Sequence, residues 1–266
     1  MGQEQSVNRP PLAILTYHQI DAAPPRPAPF RGLYVSPRDF ARQMALLHRL
    51  GYQGLSVSAL QPYLAGERSG RVVGVTFDDG YLNNLSHALP VLRRYGFSST
   101  CYAVSGLLGQ TNQWDREVGI APALLMDAAQ LRQWVDGGQE VGAHTRHHVH
   151  LPRLDPAAAG AEIGLCRSEL EAACGSAVTQ FCYPYGEFEA QHIAMARAAG
   201  YLSASTTRRG RCHAGTDLMQ LPRVPVLRST SLATLWLKLA TGYEDRRSAS
   251  GPPSAAATGH DGSLRL

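Results

Sequence analysis

Short apolar runs alternate along this chain with stretches whose apolar residues recur every three or four positions. Buried strands and amphipathic helices are therefore predicted in turn. The run inside residues 11–16, Leu-Ala-Ile-Leu, predicts a strand that ends at Tyr17 and His18. Four prolines within 24–29 make an extended loop. Ser36 then caps a helix with Pro37 in its first turn, Phe40, Met44, Leu47 and Leu50 on its apolar face, and Gly51 at its close. A short strand at 55–57 and a small helix over 59–65 lead to a third run, Val-Val-Gly-Val-Thr-Phe, which stops at Asp78-Asp79-Gly80. Downstream come a helix over 88–95, a strand over 99–104, and a long loop, 105–126, that carries Trp114 and Asp115. Loops of that length inside a compact domain are often functional. Asp127 caps the next helix, with Leu131, Trp134 and Val135 inward. A strand at 140–143 runs straight into His144-Thr145-Arg146-His147-His148. Asp155-Pro156 begins a helix containing Ile163 and Leu170, and a strand at 179–182 ends in Tyr183-Pro184-Tyr185-Gly186. A helix over 190–199, strands at 201–205 and 224–227, and a helix over 231–240 complete the pattern.

Roughly seven strand–helix alternations imply a parallel sheet, either a barrel or an open doubly wound sheet. No G-x-G-x-x-G follows a strand, so a dinucleotide site has no support. Four strands end in conspicuous polar residues: Tyr17-His18, Asp78-Asp79, His144 to His148, and Tyr183 to Tyr185. Barrel enzymes gather their reactive groups at the C-terminal ends of strands, which favours the barrel.

Composition narrows the function classes. The 266 residues are 44% hydrophobic, enough for a substantial core, and the net charge of +4 is weakly basic. Its densest basic stretch, Arg208 to Arg211, reads as a solvated loop, so no nucleic-acid partner is expected. No apolar run is long enough to span a membrane. Five cysteines form no C-x-x-C pair, which fits reduced thiols. With no secretion signal in the chain as it stands, a cytoplasmic location is expected. Residues 1–10 are expected to be flexible, 11–243 to form one catalytic domain, and 244–266, rich in Ser, Ala, Gly and Pro, to be a disordered tail.

Two acids at a buried strand end are costly unless a cation or proton offsets them. Asp78 and Asp79, adjacent there, point different ways and can serve two partners. His144 and His148 are four apart, and a helical turn would put both imidazoles on one face, able to reach one ion. With one carboxylate they make an N, N, O set that leaves a fourth position for water, the pattern of a catalytic zinc-like site.

Thr-Phe-Asp-Asp-Gly followed by His-Thr-x-x-His resembles the first two motifs of the polysaccharide deacetylases, the nodulation-type carbohydrate esterases. Glu140-Val-Gly-Ala before the histidines and Tyr183-Pro184-Tyr185-Gly186 at the third motif match as well, and the resemblance covers about residues 11–230. It implies a distorted (β/α)7 barrel. It also implies one divalent metal ion, usually zinc, on Asp79, His144 and His148, with Asp78 as general base. Two departures stand out. The third motif often opens with an arginine that orients the base, whereas Cys182 occupies that position here; Arg223, in Leu-Pro-Arg-Val-Pro, is the candidate replacement. The family's late Leu-x-Ile-His motif is absent, and Tyr17-His18 resembles its permuted, N-terminal form in exopolysaccharide deacetylases, which makes His18 the general acid.

The reaction so implied removes acetyl groups from amino-sugar units of a polysaccharide or its precursor and releases acetate. The partner is an N-acetylated amino-sugar glycan. A backbone N–H near Tyr185 would hold the oxyanion, and Trp114, Tyr183 and Tyr185 would offer aromatic faces to the sugar. Two rivals stand beside this reading: an amidohydrolase for a small amide or cyclic ureide, and a sugar-binding module without catalysis.

Overall fold

The computed structural model describes residues 10–249. Ten strands and eight helices alternate in it. Strands β1 (Ile14–Tyr17), β5 (Val72–Phe77), β6 (Thr100–Ala103), β7 (Glu140–Ala143), β8 (Gln180–Cys182), β9 (Ser203–Arg209) and β10 (Leu221–Pro225) are joined in parallel into one ring. Closure comes from β1, which pairs with β10 on one edge and with β5 on the other. The expected distorted (β/α)7 barrel is the observed fold. Its distortion lies at β5: β4 (Gln53–Leu55) pairs with the first half of that edge, and β6 takes over at Thr76 and Phe77. Two-residue strands β2 (Gln19–Ile20) and β3 (Tyr34–Val35) form a separate small pair.

The helices wrap the ring because their caps and apolar faces agree. In α1 (Pro37–Arg49) the Ser36 side chain accepts the Asp39 N–H, while Phe40, Met44 and Leu47 are buried. A reciprocal capping box between Asp127 and Gln130 starts α4 (Ala128–Asp136). Leu131 and Trp134 of α4 are buried and Val135 is half-buried. The Trp134 ring meets Phe77 edge-on at 5.7 Å, and Tyr17 and Phe40 pack on the same phenylalanine. The last ring before the paired aspartates is thus fixed from three sides. The remaining helices are α2 (Val57–Ala65), α3 (Leu89–Tyr95), α5 (Pro156–Cys174), α6 (Ala190–Ala198), α7 (Leu232–Ala240) and α8 (Tyr243–Ala249).

Several boundaries move from their sequence expectations. Ser56 accepts the Ala59 N–H and starts α2 at Val57, so β4 lies two residues earlier than expected. Residues 84–88 form a π-type turn before α3. Strand β9 runs on to Arg209, and β10 begins at Leu221. Residues 105–126 are a loop as expected, pinned by the antiparallel bridges Tyr81–Leu125 and Thr111–Leu124. The larger correction is at the C-terminus, where a tail was expected from 244. Instead Glu244 in α8 is buried without exposure and takes Lys238 Nζ at 2.5 Å and Arg209 Nε at 3.0 Å. Two cations on one carboxylate hold α8 against the barrel. The rest of the expected tail, and residues 1–9 of the N-terminus, lie outside the described residues. Among the described residues no helix is long and apolar enough to cross a membrane. All five cysteines are unpaired and buried.

Candidate active site

The C-terminal ends of β1, β5, β7, β8 and β10 bring the polar residues of the sequence reading to one mouth. Asp78 and Asp79 do face different partners, as adjacent residues at a strand end should. Asp79 turns into left-handed backbone, φ 74°, and Gly80 follows at φ 77°. A Cβ on Gly80 would come within 3.2 Å of the Ala103 Cα, so any other residue would have to push β6 back as well as adopt a positive φ.

Asp78 is 3% exposed and is clasped by Arg223 of β10: Nη1 to Oδ1 at 2.6 Å and Nη2 to Oδ2 at 2.7 Å. The same guanidinium donates to the Thr206 carbonyl, the Thr76 hydroxyl and the Cys182 sulfur, and it lies over the Tyr102 ring. Burial alone would raise the Asp78 carboxyl, but the Arg223 charge and its hydrogen bonds outweigh burial and hold it below the ordinary carboxylate range. His18 Nε2 lies 3.9 Å from Asp78 Oδ2, with a quarter of its side chain exposed. The cation beside Asp78 thus comes from β10, two strands beyond the Cys182 position.

On the other side of the aspartate pair, Asp79 Oδ1 lies 3.6 Å from His144 Nε2 and 3.4 Å from His148 Nε2. All three residues are buried, and their ligand atoms lie within 4.8 Å of one another. The structure corrects how the histidines meet. Residues 144–148 form no helical turn; Thr145 at φ 62° and His148 at φ 55° fold the segment back on itself. His144 Nδ1 donates to the Cys182 carbonyl at 2.7 Å, which leaves the Nε2 lone pair facing Asp79. Burial, with the neighbouring His148 charge, pushes His144 down to about 4, so the imidazole is neutral at ordinary pH and available to a cation. The donor set, its burial and the fixed His144 tautomer all fit one divalent ion. Strained backbone clusters here: of five non-glycine residues with positive φ, Asp79, Thr145, His148 and Tyr185 border this site.

The aromatic residues divide. Trp114 stacks on His148 at 4.5 Å, and Tyr185 meets that imidazole edge-on at 4.6 Å. A face of Tyr185 is covered by His150, stacked at 3.9 Å, so what it offers a ligand is its hydroxyl end and one face. Tyr183 is a correction. It has no exposure and packs between Phe181 and Phe188, so it belongs to the core and offers nothing to a sugar.

Sequence reasoning missed Tyr81 and Asn112. Both are buried and both turn to Asp115: the Tyr81 hydroxyl at 3.5 Å and Asn112 Nδ2 at 2.8 Å from Oδ2. Only the position of Tyr81 immediately after Asp-Asp-Gly could have flagged it. Also missed was a cavity of about 220 Å³ beside His18 and Asp78, over β9 and β10.

With this barrel and this mouth, the chain falls into a defined class. Residues 65–204 match the sequence model of the polysaccharide deacetylase family. The chain belongs to the polysaccharide deacetylases. The Bacillus subtilis (strain 168) protein YxkH, named for the same activity, is 27% identical over 217 residues, 81% of this chain and 71% of its own. Among solved structures, the deacetylase PplD of Streptococcus pyogenes, in complex with acetate, superposes with a TM-score of 0.76 at 24% identity. That match covers 87% of this chain and 99% of PplD. IcaB from Ammonifex degensii gives 0.72 at 24% identity, over 85% of this chain and 95% of its own. These two likenesses carry the fold.

Proposed function

We propose that this chain hydrolyses the N-acetyl groups of amino-sugar units in a polysaccharide or its precursor, releasing acetate, with one divalent ion bound by Asp79, His144 and His148. The observation that carries the reading is the split between the adjacent aspartates. Asp78 is held ionised by Arg223 and lies within reach of His18, while Asp79 faces the imidazoles of His144 and His148. A bound zinc ion, which suits this N, N, O set, supplies Lewis-acid polarisation of the acetyl carbonyl and acidifies water.

The chain's own groups do the rest. Each Asp78 oxygen keeps a free lone pair beside its Arg223 bond, so the carboxylate accepts the proton of the attacking water. Arg223 prevents Asp78 from resting in its protonated form. His18, 3.9 Å from Asp78, protonates the departing amine, without which the C–N bond would not break. A backbone N–H at the left-handed turn of Tyr185 is assigned to the developing oxyanion. Trp114 and Tyr185 brace His148 and exclude water from its faces.

Acetate release from chito-oligosaccharides and from small acylated amines, with and without chelator, tests the reading. Chelator-sensitive release from the oligosaccharide supports it. Release from the small amines alone would favour an amidohydrolase, and binding without release would favour a sugar-binding module.

A further inference from the structure

The mouth carries more positive charge than the reaction needs. Beyond His18, the 220 Å³ cavity is walled by Thr206, Thr207, Arg209, Leu33 and Leu227. It is smaller than the roughly 300–1,000 Å³ of sites for drug-sized ligands, so it suits one sugar unit or its substituent rather than a length of glycan. Arg209 enters this wall with a surplus charge. Its partner, Glu244, is shared with Lys238, so two cations sit on one carboxylate. About a third of the Arg209 side chain stays exposed.

The rim repeats the pattern. The segment before Leu33 and the segment after Leu227 are tied together by the Arg228 N–H, which donates to the Gly32 carbonyl at 2.9 Å. That tie sets the Arg228 backbone next to the residue that follows Arg31, and the charges of Arg228 and Arg26 both act on the Arg31 guanidinium. Arg31 Nε is fixed by the Pro24 carbonyl at 2.6 Å, which holds its fork in place. Among the described residues, none of these three arginines forms an ion pair with a carboxylate. Desolvation and then the charges of Arg228 and Arg26 lower the Arg31 guanidinium below its ordinary range. Three like charges gathered without a counter-ion are an unfavourable arrangement that an oxyanion would relieve.

We infer that Arg31 and Arg228, with Arg26 beside them and Arg209 in the cavity wall, form a subsite for an anionic saccharide, one whose phosphate or carboxylate lies next to the acetylated sugar. This inference rests on the deacetylase reading and narrows its substrate class. The neutral sugar engages the mouth at His18 and Asp78, and the anion is gripped at the rim by guanidinium forks, which match phosphate and carboxylate geometry.

Calorimetric binding of N-acetylglucosamine 1-phosphate and of plain N-acetylglucosamine, at low and raised salt, tests the subsite without requiring turnover. The phosphorylated sugar should bind about tenfold more tightly at low salt, the size expected of one or two charge-assisted contacts, and should lose most of that margin as salt rises. In the Arg31→Ala/Arg228→Ala double variant, whose changes are on the surface, the margin should shrink to within about twofold while plain N-acetylglucosamine binds as before. Equal affinity for the two sugars in the wild type, or an unchanged margin in the double variant, would overturn the subsite. So would equally tight binding of inorganic phosphate alone, or capture by phosphatidylglycerol vesicles that the double variant loses, because either result assigns the cluster to a bare oxyanion or a lipid surface. Chito-oligosaccharide deacetylation is followed in parallel. If it persists while the margin is absent, only the subsite fails. If no substrate is deacetylated, the functional reading fails and the binding comparison still decides the subsite.

Discussion

Arg223 and Asp78, 145 residues apart in sequence, meet through two parallel hydrogen bonds inside the barrel mouth. The pair is buried, so removing one partner leaves the other charged and desolvated. Arg223→Ala is expected to cost about 3–5 kcal/mol of stability, measured by urea unfolding near neutral pH. The sign with pH follows from linkage. The folded Asp78 carboxyl is held below its ordinary range, so its contribution is present above the unfolded carboxyl range and is lost as pH falls through the folded value. In the alanine variant burial loses its largest opponent, so the acidic limb of the rate profile should move to higher pH. Arg223→Lys keeps the charge but not the fork and should fall between. An unmoved limb would show that Arg223 does not govern the base.

The division of labour between the aspartates predicts two different losses. Asp78→Asn should keep the bound ion and lose turnover, because only proton abstraction is removed. Asp79→Asn should weaken the ion itself. Elemental analysis of purified protein, expected to give about one divalent ion per chain in the wild type, separates the two. Near-normal deacetylation by Asp78→Asn would remove it as the base.

His18 lies 3.9 Å from Asp78 and is not one of the three residues proposed to hold the ion, so its removal should spare ion binding. Turnover of an N-acetyl sugar by His18→Ala should fall about 10²–10⁴-fold, the usual span for a lost general acid. An acetyl ester with a good leaving group needs little protonation and should suffer far less. Equal losses on both substrates would mark His18 as structural.

Tyr183 and Tyr17 are both buried tyrosines, and they make opposite predictions. The Tyr17 hydroxyl donates to Gln43 at 3.0 Å, whereas the Tyr183 hydroxyl has no protein partner. Tyr183→Phe should therefore leave turnover unchanged and stability within about 0.5 kcal/mol of wild type or above it. Tyr17→Phe strands Gln43 and should cost about 1–3 kcal/mol. Thermal unfolding of the two variants checks the contrast.

The parts of this site that were legible in sequence are those tied to strand ends. A strand end dictates that neighbouring side chains diverge, and Asp78 and Asp79 diverge. Arg223 was legible only as a chemical need, an unclaimed cation for a buried acid, because no local rule links β5 to β10. What failed was local geometry and local composition. Four-residue spacing suggested a helical turn for His144 and His148, but left-handed Thr145 and His148 close the gap instead, a conformation that neither residue advertises. Tyr183 and Tyr185 looked equivalent two residues apart, yet positive φ at Tyr185 sends one to the mouth and leaves the other in the core. The boundary at 244 was drawn from average composition, and an average cannot reveal that Lys238 and Arg209 await a single carboxylate.

The pairing of β1 with both β5 and β10 has a consequence for the order of residues along the chain. A ring of strands has no first member: once the loop is sealed, the position of a strand in the mouth no longer depends on its place in the gene. His18 arrives on the opening strand and Arg223 on the closing one, yet the two lie side by side over neighbouring strands of the same circle. A segment carrying His18 could therefore stand at either end of the sequence and still reach the same place in the mouth. Motif order along such a chain is set by where the circle is opened, while the spatial arrangement is set by the circle itself.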